Sequence, residues 1–242
     1  MRLSCLLVIL TFFQPLFGEY HSQIGQDKYL NETFFHDKEG GVFVEFGAYD
    51  GITLSNSYFF EKECGWKGIC IEPMPLYFEQ LKKNRTCVCV QGCVAPQAGT
   101  VEFLNVGGPS PMLSGVLSLY DPRHLQRISN EVGWSEEKQM PANSEVIKVP
   151  TYRLTDLLDQ YHMPHVDYLS IDTEGGELEI LQSIDFKKYQ IDFITVEDNY
   201  NDPRLREFIE SQGFELVKAE FDLVFKNRNL VSVSPETERS ST

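Results

Sequence analysis

Residues 42–73 have the sequence VFVEFGAYDGITLSNSYFFEKECGWKGICIEP. An apolar run leads into a glycine-containing turn at residues 47–51, a helical segment follows at 53–63, and a second apolar run ends on Glu72. Glycines let a ligand approach the backbone, a helix N-terminus offers unpaired N–H groups, and a carboxylate after the second strand accepts hydrogen bonds from ribose hydroxyls. The stretch therefore predicts a nucleotide site on a strand, turn, helix and strand.

The turn departs from the fingerprint of dinucleotide-binding proteins at one position. Tyr49 stands where a pyrophosphate-binding loop needs a second glycine, and a phenol ring there would crowd the phosphates. S-adenosylmethionine carries no phosphate, so the turn favours this nucleoside over NAD. Another nucleotide and a purely structural glycine turn remain alternatives, because single motifs also match by chance.

Length and composition indicate one α/β domain. The chain has 242 residues, of which 42% are hydrophobic, enough for a full core. Short apolar runs alternate with helical stretches, a pattern typical of a mostly parallel, doubly wound sheet with helices on both faces. A formal net charge of −15, without a run of Lys or Arg, argues against nucleic acid as a partner.

Residues 99–149 interrupt this alternation with a loop rich in Gly, Pro and Ser. Long irregular segments inside compact domains are usually functional or mobile, so we interpret this one as an insertion that forms a lid over the acceptor. A flexible surface excursion is the alternative. Two β runs at 214–217 and 221–225 predict an antiparallel hairpin. The domain then covers residues 19–226, and a polar tail covers 227–242.

The N-terminus has the composition of a targeting segment. Arg2 precedes an apolar stretch of about 15 residues, whereas a membrane-spanning helix needs about 20. We therefore predict a cleaved signal peptide at residues 1–18, a location in the secretory pathway (ER or Golgi lumen, or outside the cell) and no stable membrane span. A signal anchor in the membrane is the alternative. Sequons at Asn31 and Asn84 are compatible with a secretory route.

Cysteine usage agrees with an oxidising compartment. Cys5 leaves with the signal peptide, and five cysteines remain: Cys64, Cys70, Cys87, Cys89 and Cys93. They form no C-x-x-C pair and have no accompanying histidine, so we expect no metal site. Some of them would pair in an oxidising lumen, and the odd number leaves at least one thiol unpaired. The connectivity stays open.

Several motifs occur in an order that resembles the FkbM family of S-adenosylmethionine-dependent methyltransferases. They are SQIGQD, VFVEFGAYDG, SNS followed by GWKGICIEP, TDLL, and YLSIDTEGGELEIL followed by FITVED. The resemblance covers residues 22–226. It implies a class I methyltransferase fold, with a seven-stranded sheet whose last strand is antiparallel, and methylation of a hydroxyl oxygen.

In a doubly wound sheet the ligand lies at the carboxyl ends of the strands where the strand order reverses. The first strand and the strand at 166–171 end there, so their turns should share one crevice. Cofactor-binding positions are then Glu45, Gly47, Ala48 and Gly51 for the methionine half and Glu72 for the ribose. Candidates for accepting the hydroxyl proton or orienting the acceptor are Asp172, Glu174 and Glu197.

Alternatives exist for some charged residues. Glu174 and Glu177 could simply complement the dipole in the first turn of a helix. His124, His162 and His165 have no carboxylate partner visible in the sequence, and we expect each of them on the surface or in a loop.

The acceptor is not specified by the sequence. A glycan, a lipid headgroup, a peptide and a small metabolite all remain open as partners. The predicted signal peptide also raises a different class of function, because adenosylmethionine is made in the cytosol. The second hypothesis is a secretory-pathway interaction or trafficking factor that keeps the methyltransferase fold without turnover.

Overall fold

The computed structural model describes residues 18–230. The predicted signal peptide, apart from Gly18, and most of the predicted tail lie outside the described residues. Within 18–230, the helices lack the length and apolarity that crossing a bilayer demands.

The described part of the chain alternates strands and helices as the sequence predicts. The strands are β1 (Val42–Phe46), β2 (Lys67–Glu72), β3 (Val88–Gln91), β4 (Cys93–Val94), β5 (Gly99–Val106), β6 (Gly115–Val116), β7 (Trp134–Ser135), β8 (Met140–Pro141), β9 (Ser144–Tyr152), β10 (His165–Ile171), β11 (Gln190–Glu197), β12 (Phe214–Ala219) and β13 (Asp222–Asn227). The helices are α1 (Gln26–Leu30), α2 (Tyr58–Glu63), α3 (Pro75–Asn84), α4 (Pro122–Val132), α5 (Leu154–Gln160), α6 (Glu177–Gln182) and α7 (Pro203–Ser211).

The central sheet has seven strands in the order β12-β13-β11-β10-β1-β2-β3. Strands β3, β2, β1, β10 and β11 are parallel to one another, whereas β13 is antiparallel to both β11 and β12. This confirms the predicted hairpin and the class I methyltransferase fold. The strand order reverses between β1 and β10, so their carboxyl ends border a crevice.

Alternation along the strands builds two different cores. Val44 and Phe46 of β1 point to an aliphatic layer, together with Ile71 and Ile171. Phe43, which precedes Val44 in the strand, points to an aromatic layer on the other face. Its principal members are Phe35, Phe59, Phe60, Trp66, Tyr168 and Phe193. Because both faces are covered, β1 is an almost continuous apolar run, as parallel sheets require.

The inserted segment is regular, not irregular as its composition suggested. Strands β5 and β9 pair antiparallel from Gly99–Thr151 to Val106–Ser144, and β4 and β6 complete a second, four-stranded sheet. Phe103, Val116 and Val149 form its small core with Met74 of the central domain. The Gly/Pro/Ser-rich loop is a short connection within this sheet.

The helix predicted at 53–63 begins only at Tyr58. The five residues before it serve another purpose, because Ser55, Asn56 and Ser57 are buried and hydrogen-bonded to the carboxylate of Glu45. A polar segment that finds its partners in the core has no need of helical hydrogen bonds.

Both sequons are built into the fold. The Asn31 side-chain nitrogen donates to the Tyr20 hydroxyl at 3.1 Å and to Asp37 at 2.7 Å, and the residue is 3% exposed. The Asn84 nitrogen donates to the Asp50 carbonyl at 2.8 Å. A glycan replaces one of the two amide hydrogens, so it would cost Asn31 one of its two bonds, whereas Asn84 would keep a hydrogen for its single bond. Glycosylation of either residue stays a prediction.

The five cysteines carry no disulfide within residues 18–230. Cys70 and Cys87, on the neighbouring strand β2 and just before β3, bring their sulfur atoms to 3.5 Å. Pairing of some cysteines in an oxidising compartment stays a prediction.

Arg85 is expected to be essential for stability. Its side chain is fully buried and pairs with Glu61 of α2 and Glu45 of β1. In Arg85→Met two buried carboxylates lose their cation, so the free energy of unfolding should fall by about 3–5 kcal/mol. Urea denaturation measures this loss.

Lys62→Met is the matched control for Arg85→Met. Lys62 contacts the same Glu61 carboxylate at 2.9 Å, but its side chain is partly exposed. A surface contact of this kind contributes about 0–1 kcal/mol. Equal losses in the two variants would contradict a special role for Arg85.

Candidate functional site

A cavity of about 490 Å³ lies at the carboxyl ends of the central strands, under the inserted segment. This volume is within the range of about 300–1,000 Å³ that small-molecule sites occupy. From the central sheet it is lined by Phe46, Gly47, Ile71, Glu72, Asp172 and Glu197, and from the insertion by Phe103, Met112, Leu113, Ser114, Val116, Leu119 and Arg127. The crevice predicted from the strand order is therefore present.

Gly47 and Asp172 meet across this crevice, although they are far apart in the chain. Gly47 has a φ of 70°, and a Cβ atom there would collide with the carbonyl oxygen of Asp172. Only glycine combines this backbone conformation with such a close approach. The turn is also tied to β2, because the Ala48 N–H donates to the Ile71 carbonyl at 3.1 Å.

Glu72 lies on the cavity wall and is 2% exposed. Its carboxylate oxygens accept the N–H of Tyr49 at 2.9 Å and the N–H of Met74 at 2.7 Å. Burial raises the pKa of Glu72 to about 8 in spite of these two donors. These two N–H groups use two of the roughly four hydrogen-bonding positions of the carboxyl group, so others remain for a ligand in the cavity.

Glu45 has a different place from the one that its position in the motif suggests. It faces the aromatic layer, where it accepts hydrogen bonds from Ser55 at 2.9 Å, Ser57 at 2.7 Å and Arg85 at 3.3 Å. It does not belong to the described residues that line the cavity. Because Phe46 takes the cavity side of the strand, its neighbour Glu45 must point away. We therefore reassign Glu45 from cofactor contact to scaffold.

Ala48 and Gly51 also shape the turn rather than line the cavity. Ala48 is buried in the aromatic layer. A Cβ atom on Gly51 would lie 2.7 Å from both Leu81 and Arg85, on the side away from the cavity. A larger residue at position 51 would disturb the packing of Arg85 and not a ligand directly.

Three carboxylates meet at the opposite wall. Oxygen atoms of Asp172, Glu174 and Glu197 lie within 4.8 Å of one another, and all three residues line the cavity. Burial, followed by the charges of nearby acids, raises the pKa of Asp172 to about 7 and that of Glu174 to about 8. Burial and the same neighbours also raise the pKa of Glu197. The cluster therefore holds a proton at neutral pH and can exchange it with a ligand.

The backbone at Glu174 is strained. Its φ is 54°, a left-handed conformation that non-glycine residues rarely adopt and that costs on the order of 1–3 kcal/mol. Helix α6 begins only at Glu177, so Glu174 does not serve the helix dipole. Glu177 has the structural role, because its carboxylate accepts the Gly175 N–H at 2.8 Å and the Thr173 hydroxyl at 2.9 Å.

The expectation that His124 lies on the surface or in a loop is wrong. His124 is on α4 and is 1% exposed, with Nδ1 3.3 Å from an oxygen of Glu174. His165 also has a carboxylate partner, Asp192 at 2.8 Å, but at the other end of the sheet. The signal for His124 was the spacing of His124 and Ile128, one helical turn apart and both buried. Arg127, on the same helix, reaches the cavity.

Comparison with known proteins shows which protein family this chain resembles. The family model described as Methyltransferase FkbM domain matches residues 45–216. The chain is also 22% identical over 201 residues to the methyltransferase sdnD of Sordaria araneosa, which covers 72% of this chain and 74% of that protein.

Solved structures show weaker likenesses. Methyltransferase FkbM from Methylobacillus flagellatus is 13% identical, with a TM-score of 0.43 over 78% of this chain and 44% of that chain. Fibrillarin from Aeropyrum pernix, in complex with natively bound S-adenosyl-L-methionine, is 11% identical, with a TM-score of 0.41 over 85% of this chain and 73% of that chain. The assignment of the fold rests on the strand order of the central sheet.

The carboxylate cluster predicts an unusual dependence of stability on pH. Asp172 and Glu174 bind their protons more tightly in the folded chain than their ordinary pKa values of 3.8 and 4.5. This stabilisation is complete below those ordinary values and is lost as the pH rises through about 7 and 8. The free energy of unfolding, measured with urea, should therefore fall as the pH rises from about 4 to about 8.

Two variants test whether the cluster causes the fall. In Asp172→Asn one of the interacting acids is gone, so the fall should be smaller. Glu102→Gln removes an exposed carboxylate on β5 and should leave the fall unchanged. A fall of the same size in Asp172→Asn as in the wild type would contradict the assignment.

Proposed function

Because this chain belongs to the FkbM methyltransferase domain family, we propose that it transfers the methyl group of S-adenosylmethionine to a hydroxyl oxygen. The observation that carries this proposal is the meeting of the Gly47 turn with the Asp172–Glu174 segment across one cavity. The Gly47 turn lets a nucleoside lie next to the backbone, and the carboxyl groups of Asp172 and Glu174 can take up a proton beside it.

The cavity fits the cofactor at both ends. The Glu72 carboxyl group has hydrogen-bonding positions left for the ribose hydroxyls, and the apolar side chains of Ile71 and Met74 also line the cavity. Gly47 leaves the space next to the Asp172 loop free of a side chain, which suits the methionine half. Bound adenosylmethionine supplies a methyl group on a positively charged sulfur.

Glu174 is our choice for the group that accepts the proton of the acceptor hydroxyl. Its pKa of about 8 suits transfer near neutral pH, and its carboxyl lies next to Asp172, which reaches the Gly47 turn. Asp172 and Glu197 lie beside Glu174, and their ionised forms would stabilise the sulfonium. Leu113 and Leu119 of the insertion cover the cavity and exclude water from this wall.

The acceptor is proposed to be a hydroxyl-bearing small molecule, glycan or lipid. Phe221 is 76% exposed and borders the same cavity, so an acceptor with an apolar part would find a contact at the rim. Incubation with adenosylmethionine and pools of such acceptors, followed by mass spectrometry for a gain of one methyl group, tests each class.

Calorimetry with two cofactor forms tests the proposed function. S-adenosylhomocysteine lacks the sulfonium charge, so only adenosylmethionine favours the ionised carboxylates. As the pH rises from about 6 to 9, the ratio of the two affinities should increase in favour of adenosylmethionine by roughly tenfold. The increase should shrink in Asp172→Asn and in Glu174→Gln.

A constant affinity ratio would contradict the placement of the methyl group beside the cluster. If neither compound binds, the proposed function fails. The result would then favour an interaction or trafficking factor with the same fold.

Glu72→Gln should weaken binding of both cofactor forms. Both carboxylate oxygens already face N–H donors, so an amide NH₂ must face one of them. We expect affinity to fall by about 10–150-fold, the equivalent of 1.5–3 kcal/mol. Glu79→Gln, at an exposed position on α3, is the control. A lower free energy of unfolding with unchanged affinity of the folded protein would show that Glu72 is only structural.

A further inference from the structure

The surroundings of His124 determine which ring nitrogen carries its hydrogen. Nε2 lies 3.1 Å from the Leu113 carbonyl oxygen, which also accepts the Tyr120 hydroxyl at 2.8 Å. A carbonyl can only accept, so Nε2 carries the hydrogen and Nδ1 of the neutral ring has a free lone pair. Tyr120 stacks on the ring, with centroids 4.6 Å apart, and holds its plane.

Nδ1 points to Glu174, which lines both the main cavity, beside Asp172 and Glu197, and a second cavity. The side of the main cavity formed by these three acids is called the acceptor wall below. It lies 3.1 Å from the Tyr200 hydroxyl and 3.3 Å from Oε2 of Glu174. The Glu174 side chain is only 9% exposed, and Asn199 donates to the same oxygen at 3.1 Å. Glu174, which follows β10, and Tyr200, which follows β11, therefore both lie next to Nδ1 of His124 on α4.

The insertion is seated directly on the Glu174 turn. A Cβ atom on Gly175 would lie 2.8 Å from the Leu119 carbonyl oxygen, and one on Gly176 would lie 2.5 Å from the Leu119 side chain. The two glycines leave room for Leu119, five residues before His124. The insertion and the turn thus keep a fixed relation that brings His124 to Glu174.

From this geometry we propose that His124 is a positioning residue for methyl transfer, which holds the Glu174 carboxyl at the acceptor wall and exchanges a proton with it. The inference rests on the proposed function, in which Glu174 accepts the proton of the acceptor hydroxyl. It adds His124 as the residue that orients the Glu174 carboxyl group and removes the proton from it after the transfer.

The proton balance of the step is complete. The O–CH₃ bond forms as the S–CH₃ bond breaks, the electron pair stays on the sulfur, and the hydroxyl proton passes to the Glu174 carboxylate. Glu174 hands this proton to Nδ1 of His124. From there it leaves by way of the Tyr200 hydroxyl to a second cavity of about 450 Å³, which Glu174 and Tyr200 both line.

Charges on every side act on the pair. His124 faces Asp121, Arg127 and Glu131 of its own helix, and burial lowers its pKa. Glu174 faces the acids Asp172, Glu177, Glu197 and Glu131 and the cation Arg127, and its pKa is raised to about 8, chiefly by burial. Glu174 accepts the hydroxyl proton in its ionised form, which predominates above about pH 8 and which the positive sulfur of bound adenosylmethionine would favour at lower pH.

NMR of the histidine rings in the ¹⁵N-labelled protein tests the pairing. The His124 ring, assigned with His124→Asn, should carry its hydrogen on Nε2 and should show an inflection near pH 8 that follows the titration of Glu174. The inflection should vanish in Glu174→Gln. His165, which pairs with Asp192 at the other end of the sheet, is the internal control and should not change.

Two results would overturn the pairing. One is a hydrogen on Nδ1 of neutral His124, and the other is an inflection that persists in Glu174→Gln. Tyr200→Phe, which removes only a hydroxyl, should retain the inflection while changing the Nδ1 chemical shift. An unchanged shift would exclude Tyr200 from the relay.

The same signal tests the position of the pair relative to the reacting sulfur. Saturating adenosylmethionine should move the His124 inflection to lower pH by at least half a unit more than adenosylhomocysteine does, because only the sulfonium stabilises the Glu174 carboxylate. An inflection at the same pH with adenosylmethionine and with adenosylhomocysteine would refute the positioning role of His124. If neither compound binds, calorimetry rejects the proposed function, whereas the tautomer and the Glu174-dependent inflection still decide whether His124 and Glu174 are paired.

Discussion

The buried guanidinium of Arg85 holds together the segments from which the site is built. It joins Glu61 of α2 and Glu45 of β1, and it donates to the Gly51 carbonyl at 3.2 Å and to Ser57 at 2.8 Å. A buried charge is tolerated only when its donors are satisfied, so each of these segments has one allowed position. The glycine turn, which forms the floor of the cavity, is fixed in this way.

Two groups of buried acids in this protein have opposite electrostatic settings. Burial alone would raise the pKa of Glu61, but the Arg85 guanidinium, together with the Thr86 N–H and Lys62, outweighs burial and lowers it to about 2. Within residues 18–230, Asp172 and Glu174 pair with no guanidinium, and burial raises their pKa values to about 7 and 8. Glu61 stays charged and stabilises the scaffold, whereas Asp172 and Glu174 keep protons that they can exchange. These proton-holding acids line the same cavity as Glu72, whose pKa burial also raises.

The site is shared between the sheet and the insertion. The sheet contributes the Gly47 turn and Glu72, which suit a nucleoside, and the turn that carries Glu174. The insertion contributes the covering residues Leu113 and Leu119 and the buried His124. Neither part encloses the cavity by itself, so the proposed chemistry depends on the contact between Leu119 and the glycines after Glu174.

The sequence by itself determined the central sheet, its closing hairpin and the placement of Gly47, Glu72 and Asp172 at one edge. Those features follow from local periodicity and from the rule that parallel strands end at the same edge. Tertiary structure alone decided that Glu45 turns toward Arg85, that residues 99–149 form a second sheet, and that His124 is buried against Glu174. The reason is physical: the burial and charge state of a side chain are set by contacts between segments far apart in the chain, which no local pattern records.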